Sequence, residues 1–254
     1  KEVIPAGEAQ VALQRQIGEL LNELKEYGAW RSIDLHTEPA AFDAKGIWSE
    51  ERMCLLMETK IRQAESVKDS VCGQFQWIYS SHDNPGRRQP DEALRRIDKV
   101  GPFNYKGLVT PWEEPLDVYY MYKSNYRLPE EEPMVYLVSH TWNNRFEKSG
   151  RRRATIEAYS NCDSVLLYND ATNDVYLGRK VNHGRGTHFT WENRDIRYNV
   201  LRAVGYYDGK PVAEDVLVLK GLERAPHFEA LYRPSAIVPT AADNNADLLK
   251  PASG

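Results

Sequence analysis

Sulfur is scarce in this chain: three cysteines in 254 residues. Cys54, Cys72 and Cys162 are far apart and odd in number, so neither a disulfide framework nor a CxxC metal knuckle can be built from their spacing. Free thiols are the expectation. Long apolar runs are also missing. No stretch approaches the roughly 18 residues of a membrane span, and the N-terminus lacks the basic-then-apolar pattern of a secretion signal. No membrane partner is expected, and a periplasmic or extracellular setting is favoured over a cytoplasmic one. Charge bias is small too. With 33 basic and 37 acidic residues and a net charge of −4, binding to a phosphate backbone is not the main business, so no nucleic acid is expected. His140, His183 and His188 lack the spacings of a zinc site. Neither a phosphate-cradling glycine loop nor a serine-histidine-acid constellation is present. No metal and no cofactor is called for.

What the chain does contain changes character near its middle. Residues Glu8 to Leu24 place Leu13, Ile17, Leu20, Leu21 and Leu24 at helical spacing. Residues 29–48 read as a loop carrying His36. Ser49 is an N-cap candidate for a second helix, with Glu50 and Glu51 in its first turn and Met53, Leu56, Met57, Ile61 and Ala64 along one face. Ser70 to Tyr79 is rich in β-formers and reads as a central strand, followed by a long irregular excursion over residues 80–115. A helix over Asp117–Tyr126 and a linker from Leu128 to Pro133 follow. This alternation is the signature of βα units. From Met134 the grain turns to seven strand-length runs: Met134–His140, Arg153–Tyr159, Ser164–Tyr168, Val175–Leu177, His188–Trp191, Val200–Tyr206 and Val212–Leu219. Seven strands punctuated by turns imply a sandwich, and Asp208-Gly209 is a two-residue hairpin signal. Beyond Pro226 the composition is that of a connector, with little packing expected.

The chemistry-bearing stretch is Cys72-Gly73-Gln74-Phe75-Gln76-Trp77-Ile78-Tyr79, which empties into the polar loop Ser80-Ser81-His82-Asp83-Asn84. In parallel α/β barrels the site sits where strands end, so Trp77 is placed to floor a pocket. His36, His82 and Asp83 lie in loops that would border the same mouth and offer hydrogen bonds to whatever it binds. A turn role for Asp83-Asn84-Pro85-Gly86 competes with that reading.

Three pieces resemble glycoside hydrolase family 2, the β-galactosidase-like enzymes, in its C-terminal portion. They are Glu26-Tyr27-Gly28, the Gly73–Trp77 strand, and Asn161-Cys162-Asp163 with the strand Ser164–Tyr168 and Leu177-Gly178. The hairpin around Asp208-Gly209-Lys210 extends the last match. The resemblance implies the last βα units of a (β/α)8 TIM barrel over residues 1–128, an immunoglobulin-like β-sandwich over 129–226, and a tail over 227–254 leading to a missing domain. It implies a retaining glycosidase acting on β-galactosides, with Glu26 as the nucleophile and Trp77 stacking on the sugar. A retaining mechanism needs a second carboxyl about 5 to 5.5 Å from the first, and the family places it on a strand that this chain lacks. The expected partners are therefore a carbohydrate substrate and either the missing N-terminal barrel segment or a second chain, a further copy of this one included. The isolated chain is expected to be inactive. The alternative is a non-catalytic structural or carbohydrate-binding fragment.

Overall fold

The computed structural model describes residues 31, 35–38, 49–83, 103–147 and 153–232. Glu26, the expected helix over Glu8–Leu24 and the tail after Tyr232 lie outside them. Among the described residues, two helices precede a seven-stranded sandwich. Helix α1 (Glu50–Ser66) begins where its sequence says, with the Ser49 hydroxyl accepting from the Arg52 amide and two acidic residues in the first turn. Met53, Met57 and Ile61, spaced by four, are buried, whereas Leu56 is 40 % exposed. Helix α2 (Asp117–Tyr126) buries Val118, Met121 and Asn125 and stops at Arg127, two residues before Pro129. The residue preceding a proline is steered out of the helical region, which sets this end.

The sandwich consists of β3 (Val135–Val138), β4 (Arg153–Ser160), β5 (Ser164–Tyr168), β6 (Tyr176–Val181), β7 (Phe189–Asp195), β8 (Val200–Tyr207) and β9 (Lys210–Val218). One antiparallel sheet has the order β3-β4-β7 and the other β6-β5-β8-β9. Each of the seven runs read from the sequence is a strand, and Ser164–Tyr168 has the expected bounds. Such an arrangement is an antiparallel β-sandwich, with strands crossing between the two layers. Between the layers lie Leu137, Ile156, Val165, Leu167, Trp191, Ile196 and Leu201, all at 0 % exposure. Trp191 also donates its indole N–H to the Gly178 carbonyl at 3.0 Å, which gives the Leu177-Gly178 signature a physical role.

Local chemistry accounts for the other signatures. Asp208 and Gly209 have φ of 48° and 73°, the paired positive values of a type I′ hairpin turn. The Asn161 side chain accepts from the Met134 amide at 2.9 Å and donates to the carbonyls of Arg127 and Glu132. The segment from Arg127 to Met134 is thereby clamped to the sandwich. Asp163 accepts from the Asp208 amide at 2.9 Å. Cys162 leaves no room at Gly205, where a Cβ would stand 2.7 Å from its sulfur.

The outer face of β3 and β4 is buried as well. Tyr136, Val138 and Tyr159 pack against Met53, Cys54, Met57, Ile61, Val118 and Met121 of the helices. A second core thus joins helices to sandwich, and polar pins reinforce it. The Glu50 carboxylate accepts from the Asp117 amide at 2.7 Å, and Tyr136 donates to Asp117 at 2.5 Å. Burial, then the neighbouring Asp117, pushes the Glu50 carboxyl up to about 7.

Two expectations require correction. Ser70–Tyr79 is not a regular strand: it makes isolated bridges, and its ladder partners among the described residues are confined to one neighbouring segment, residues 106–110. A central strand needs ladder partners on both sides, and among the described residues Ser70–Tyr79 has them on one side only. The expected barrel units lie in part outside the described residues. Past Pro226 the chain is also better packed than its composition suggested. Phe228–Tyr232 is a 3-10 helix, and His227 holds the fully buried Asp170 through a 2.5 Å contact.

Candidate active site

The path from Gln74 to Asp83 alternates. Phe75, Trp77 and Tyr79 are 80 %, 46 % and 60 % exposed, while Gln74 and Gln76 reach α2. The Trp77–Ile78 peptide is cis. Immediately afterwards the backbone meets a neighbouring segment: Ile78 N donates to Lys106 O at 3.4 Å, Leu108 N to Tyr79 O at 2.8 Å, and Ser81 N to Val109 O at 3.1 Å. Strand β1 (His82–Asp83) then pairs antiparallel with β2 (Phe103–Asn104), opposing His82 to Asn104. Trp77, His82 and Asp83 are therefore set on one continuous support, with His82 partly exposed and Asp83 exposed.

The Asn104–Gly107 turn, read from sequence only as part of a loop, completes that support. Asn104 is 3 % exposed and its side chain accepts from the Lys106 amide at 3.3 Å. The Ser81 hydroxyl accepts from the Gly107 amide at 3.1 Å. A Cβ at Gly107 would lie 2.2 Å from Ser81 N and 2.5 Å from Val109 O, both backbone atoms that have nowhere to go. Gly107→Ala is therefore expected to cost about 2 to 3 kcal/mol locally, visible as faster hydrogen exchange at the amides of residues 79–81. The glycine was the available signal, since close backbone approach is what an isolated glycine in a β-rich run marks.

His36 is placed elsewhere. Its Nδ1 is 2.6 Å from Glu51 of α1, its Nε2 is 3.1 Å from the Thr141 hydroxyl of the sandwich, and its ring stacks on Trp142 at 5.5 Å. Burial alone would lower its pKa, but the Glu51 carboxylate outweighs that and raises it. No hydrogen bond joins it to Trp77, His82 or Asp83 among the described residues. Glu26 falls outside the described residues, so its position relative to Trp77 is not part of this geometry.

Beside the junction, a cavity of about 250 Å³ is lined by Glu51, Glu58, Trp142, Arg145, Glu157 and His188, among others. Its carboxylates are largely engaged: Glu51 by His36 and the Thr37 amide, Glu58 by Arg62 and His188. It fits an internal joint better than a substrate cleft.

Comparison with known proteins places this geometry in context. The family model described as "Domain of unknown function (DUF4982)" matches residues 152–213, within the sandwich. A curated protein of Formosa agariphila, provisionally named a beta-glucuronidase, is 32 % identical over 139 residues, covering 55 % of this chain and 15 % of that protein. The crystal structure of Parabacteroides merdae beta-glucuronidase is 26 % identical and superposes with a TM-score of 0.59 over 79 % of this chain and 24 % of that one. A Bacteroides fragilis structure, provisionally named a beta-galactosidase, gives 0.59 at 22 % identity over 84 % and 31 %. The chain thus spans roughly a sixth to a third of the proteins it matches, and its resemblance to β-glucuronidase- and β-galactosidase-like proteins of family 2 holds.

Proposed function

We propose that this chain is the part of a family-2 glycoside hydrolase in which the end of the (β/α)8 barrel, within residues 1–128, meets the first sandwich, residues 129–226, and that the complete protein cleaves β-glycosides with retention. The observation that carries this reading is Trp77, half exposed at the end of an alternating segment and backed by paired strands. An indole face presented in that way suits stacking on a pyranose ring. His82 and Asp83, next along the same support, offer hydrogen bonds to sugar hydroxyls. His36 would have to exchange Glu51 or Thr141 to do the same. Glu26 is assigned the nucleophile, attacking the anomeric carbon while a second carboxyl, on a segment outside this chain, protonates the leaving oxygen and then activates water. Exposed Phe75, Tyr79 and Trp112 would be covered by the remainder of the barrel.

Galactose-type glycosides are the first substrate class and glucuronides the second, as the names of the relatives include both. The test is turnover of aryl β-galactoside and β-glucuronide by the complete protein, with the first-formed anomer followed by proton NMR. A β-configured first product is expected. An α-configured one, or no turnover of either substrate, would refute the reading.

A further inference from the structure

The segment that delivers Trp77 is braced by side chains whose own supports lie in the sandwich. Gln74 Nε2 donates to the Tyr126 hydroxyl at 2.5 Å, and the Tyr122 hydroxyl donates to Gln76 Oε1 at 3.3 Å. Tyr122 and Tyr126 are one helical turn apart on α2, and their rings stack at 6.2 Å with 15° between planes. Contacts between a β-segment and a covering helix are ordinarily apolar and tolerate sliding. Hydrogen bonds fix direction as well as distance, so this pair of amide–phenol rungs sets the register of Gln76, and with it the residue that follows.

The rungs are held from the other side by the loop between β6 and β7. The Arg185 guanidinium lies 5.3 Å from the centre of the Tyr126 ring, and it donates to Glu65 of α1 at 3.1 Å. Gly186, next in the loop, donates its amide to Asn125 Oδ1 at 2.6 Å and accepts from Arg62 at 2.7 Å. It has φ of +75°, and a Cβ there would stand 2.3 Å from Arg62 Cγ. The loop is thereby locked onto both helices at once, and Arg185 reaches the tyrosine ladder from a rigid base.

We infer that the sandwich takes part in substrate binding through Arg185, which with Tyr126 and Tyr122 of α2 acts as a positioning residue for Trp77 by fixing the Gln74–Gln76 segment. This inference rests on the reading of Trp77 as a sugar platform. A platform contacted equally in substrate and transition state contributes to KM more than to kcat. Loosening its support should do the same on a smaller scale, since one neutral hydrogen bond is at stake.

The test uses the complete protein and an aryl β-glycoside that it turns over. Tyr122→Phe, which removes one oxygen from a half-buried ring and keeps its packing against the core, and Arg185→Ala are each expected to raise KM about fivefold, with kcat within about twofold. Arg185→Lys, which keeps the charge over Tyr126, is expected to recover most of the loss. In a Trp77→Ala background neither change should raise KM further, because the group being positioned is gone. A large KM increase for Trp77→Ala, with Tyr122→Phe and Arg185→Ala silent or fully additive to it, would overturn the positioning role and leave the platform standing. An unchanged KM for Trp77→Ala would remove the platform reading itself, and this inference with it.

Discussion

Glu26→Gln in the complete protein is expected to lower kcat on an aryl β-glycoside by about four orders of magnitude, the scale seen when a covalent nucleophile is removed. The side chain keeps its size and loses its charge. Without the carboxylate no glycosyl ester can form, and the general acid alone leaves the sugar cation to be trapped by water. A second variant separates this from misfolding. In Glu26→Gly the vacated space admits a small anion, and added azide should restore turnover by attacking the anomeric carbon from the same face. The product would be the α-glycosyl azide, opposite in configuration to the substrate, because only one displacement has taken place. Wild-type turnover in Glu26→Gln would remove this residue from the chemistry, and the three-piece resemblance would then describe the fold alone.

The sandwich was legible in the sequence because its signals are local. Alternation along each run, the Asp208-Gly209 turn and the Ser49 cap are decided by residues within a few positions of one another. The Asn161-Cys162-Asp163 signature reads in the same way once its partners are visible: an asparagine clamping Met134, a thiol filling the space that Gly205 leaves, and an aspartate receiving the hairpin amide. The failures share one cause. Ser70–Tyr79 has the composition of a central strand, yet strand character belongs to a ladder, and the partners a ladder needs come from far along the chain. Nothing between positions 70 and 79 announces whether they are there.

The same limit hid the joint between helices and sandwich. His36 reads from sequence as a loop histidine at a binding mouth, while its position is set by Glu51, fifteen residues on, and by Thr141 and Trp142 in the sandwich. His188 reads as one more strand residue and turns out to join Glu58 of α1 to Glu157 of β4. Buried polar pins of this kind leave no periodicity, since they join residues from fifteen to more than a hundred positions apart. Their effect on function is direct: α1 and α2, which carry the supports of the Trp77 segment, move with the sandwich because these pins and the shared apolar core hold them there.

The His188 pin carries the second large effect, and its pH dependence fixes the sign. Burial by itself would lower the pKa of this imidazole, but hydrogen bonds to Glu157 and Glu58 prevail and push it up to about 10 from an ordinary 6.5. A histidine whose folded value exceeds its unfolded value binds its proton more tightly in the folded state. The stabilisation is fully present below about pH 6.5 and drains away as pH rises towards about 10. With Glu58 only 4 % exposed and His188 23 % exposed, the contribution is expected to be on the order of 2 to 4 kcal/mol. Glu50 acts in the same direction at lower pH, since its carboxyl is raised from 4.5 to about 7 and its share is lost across that interval. Measurements between pH 7.5 and 9.5 lie above the Glu50 interval, and the difference between wild type and His188→Gln isolates His188 from the raised His36 and Cys54 at the same joint. Hydrogen exchange of the α1 amides, corrected for the intrinsic rate, should show the opening free energy of the helix falling across that window. In His188→Gln the slope should be much shallower, and the protection at pH 7.5 should already be near the wild-type value at pH 9.5. A wild-type opening free energy that stays flat from 7.5 to 9.5 would mean that the imidazole is neutral between its two carboxylates, and the apolar core of α1, α2 and β3 would then have to hold the joint without it.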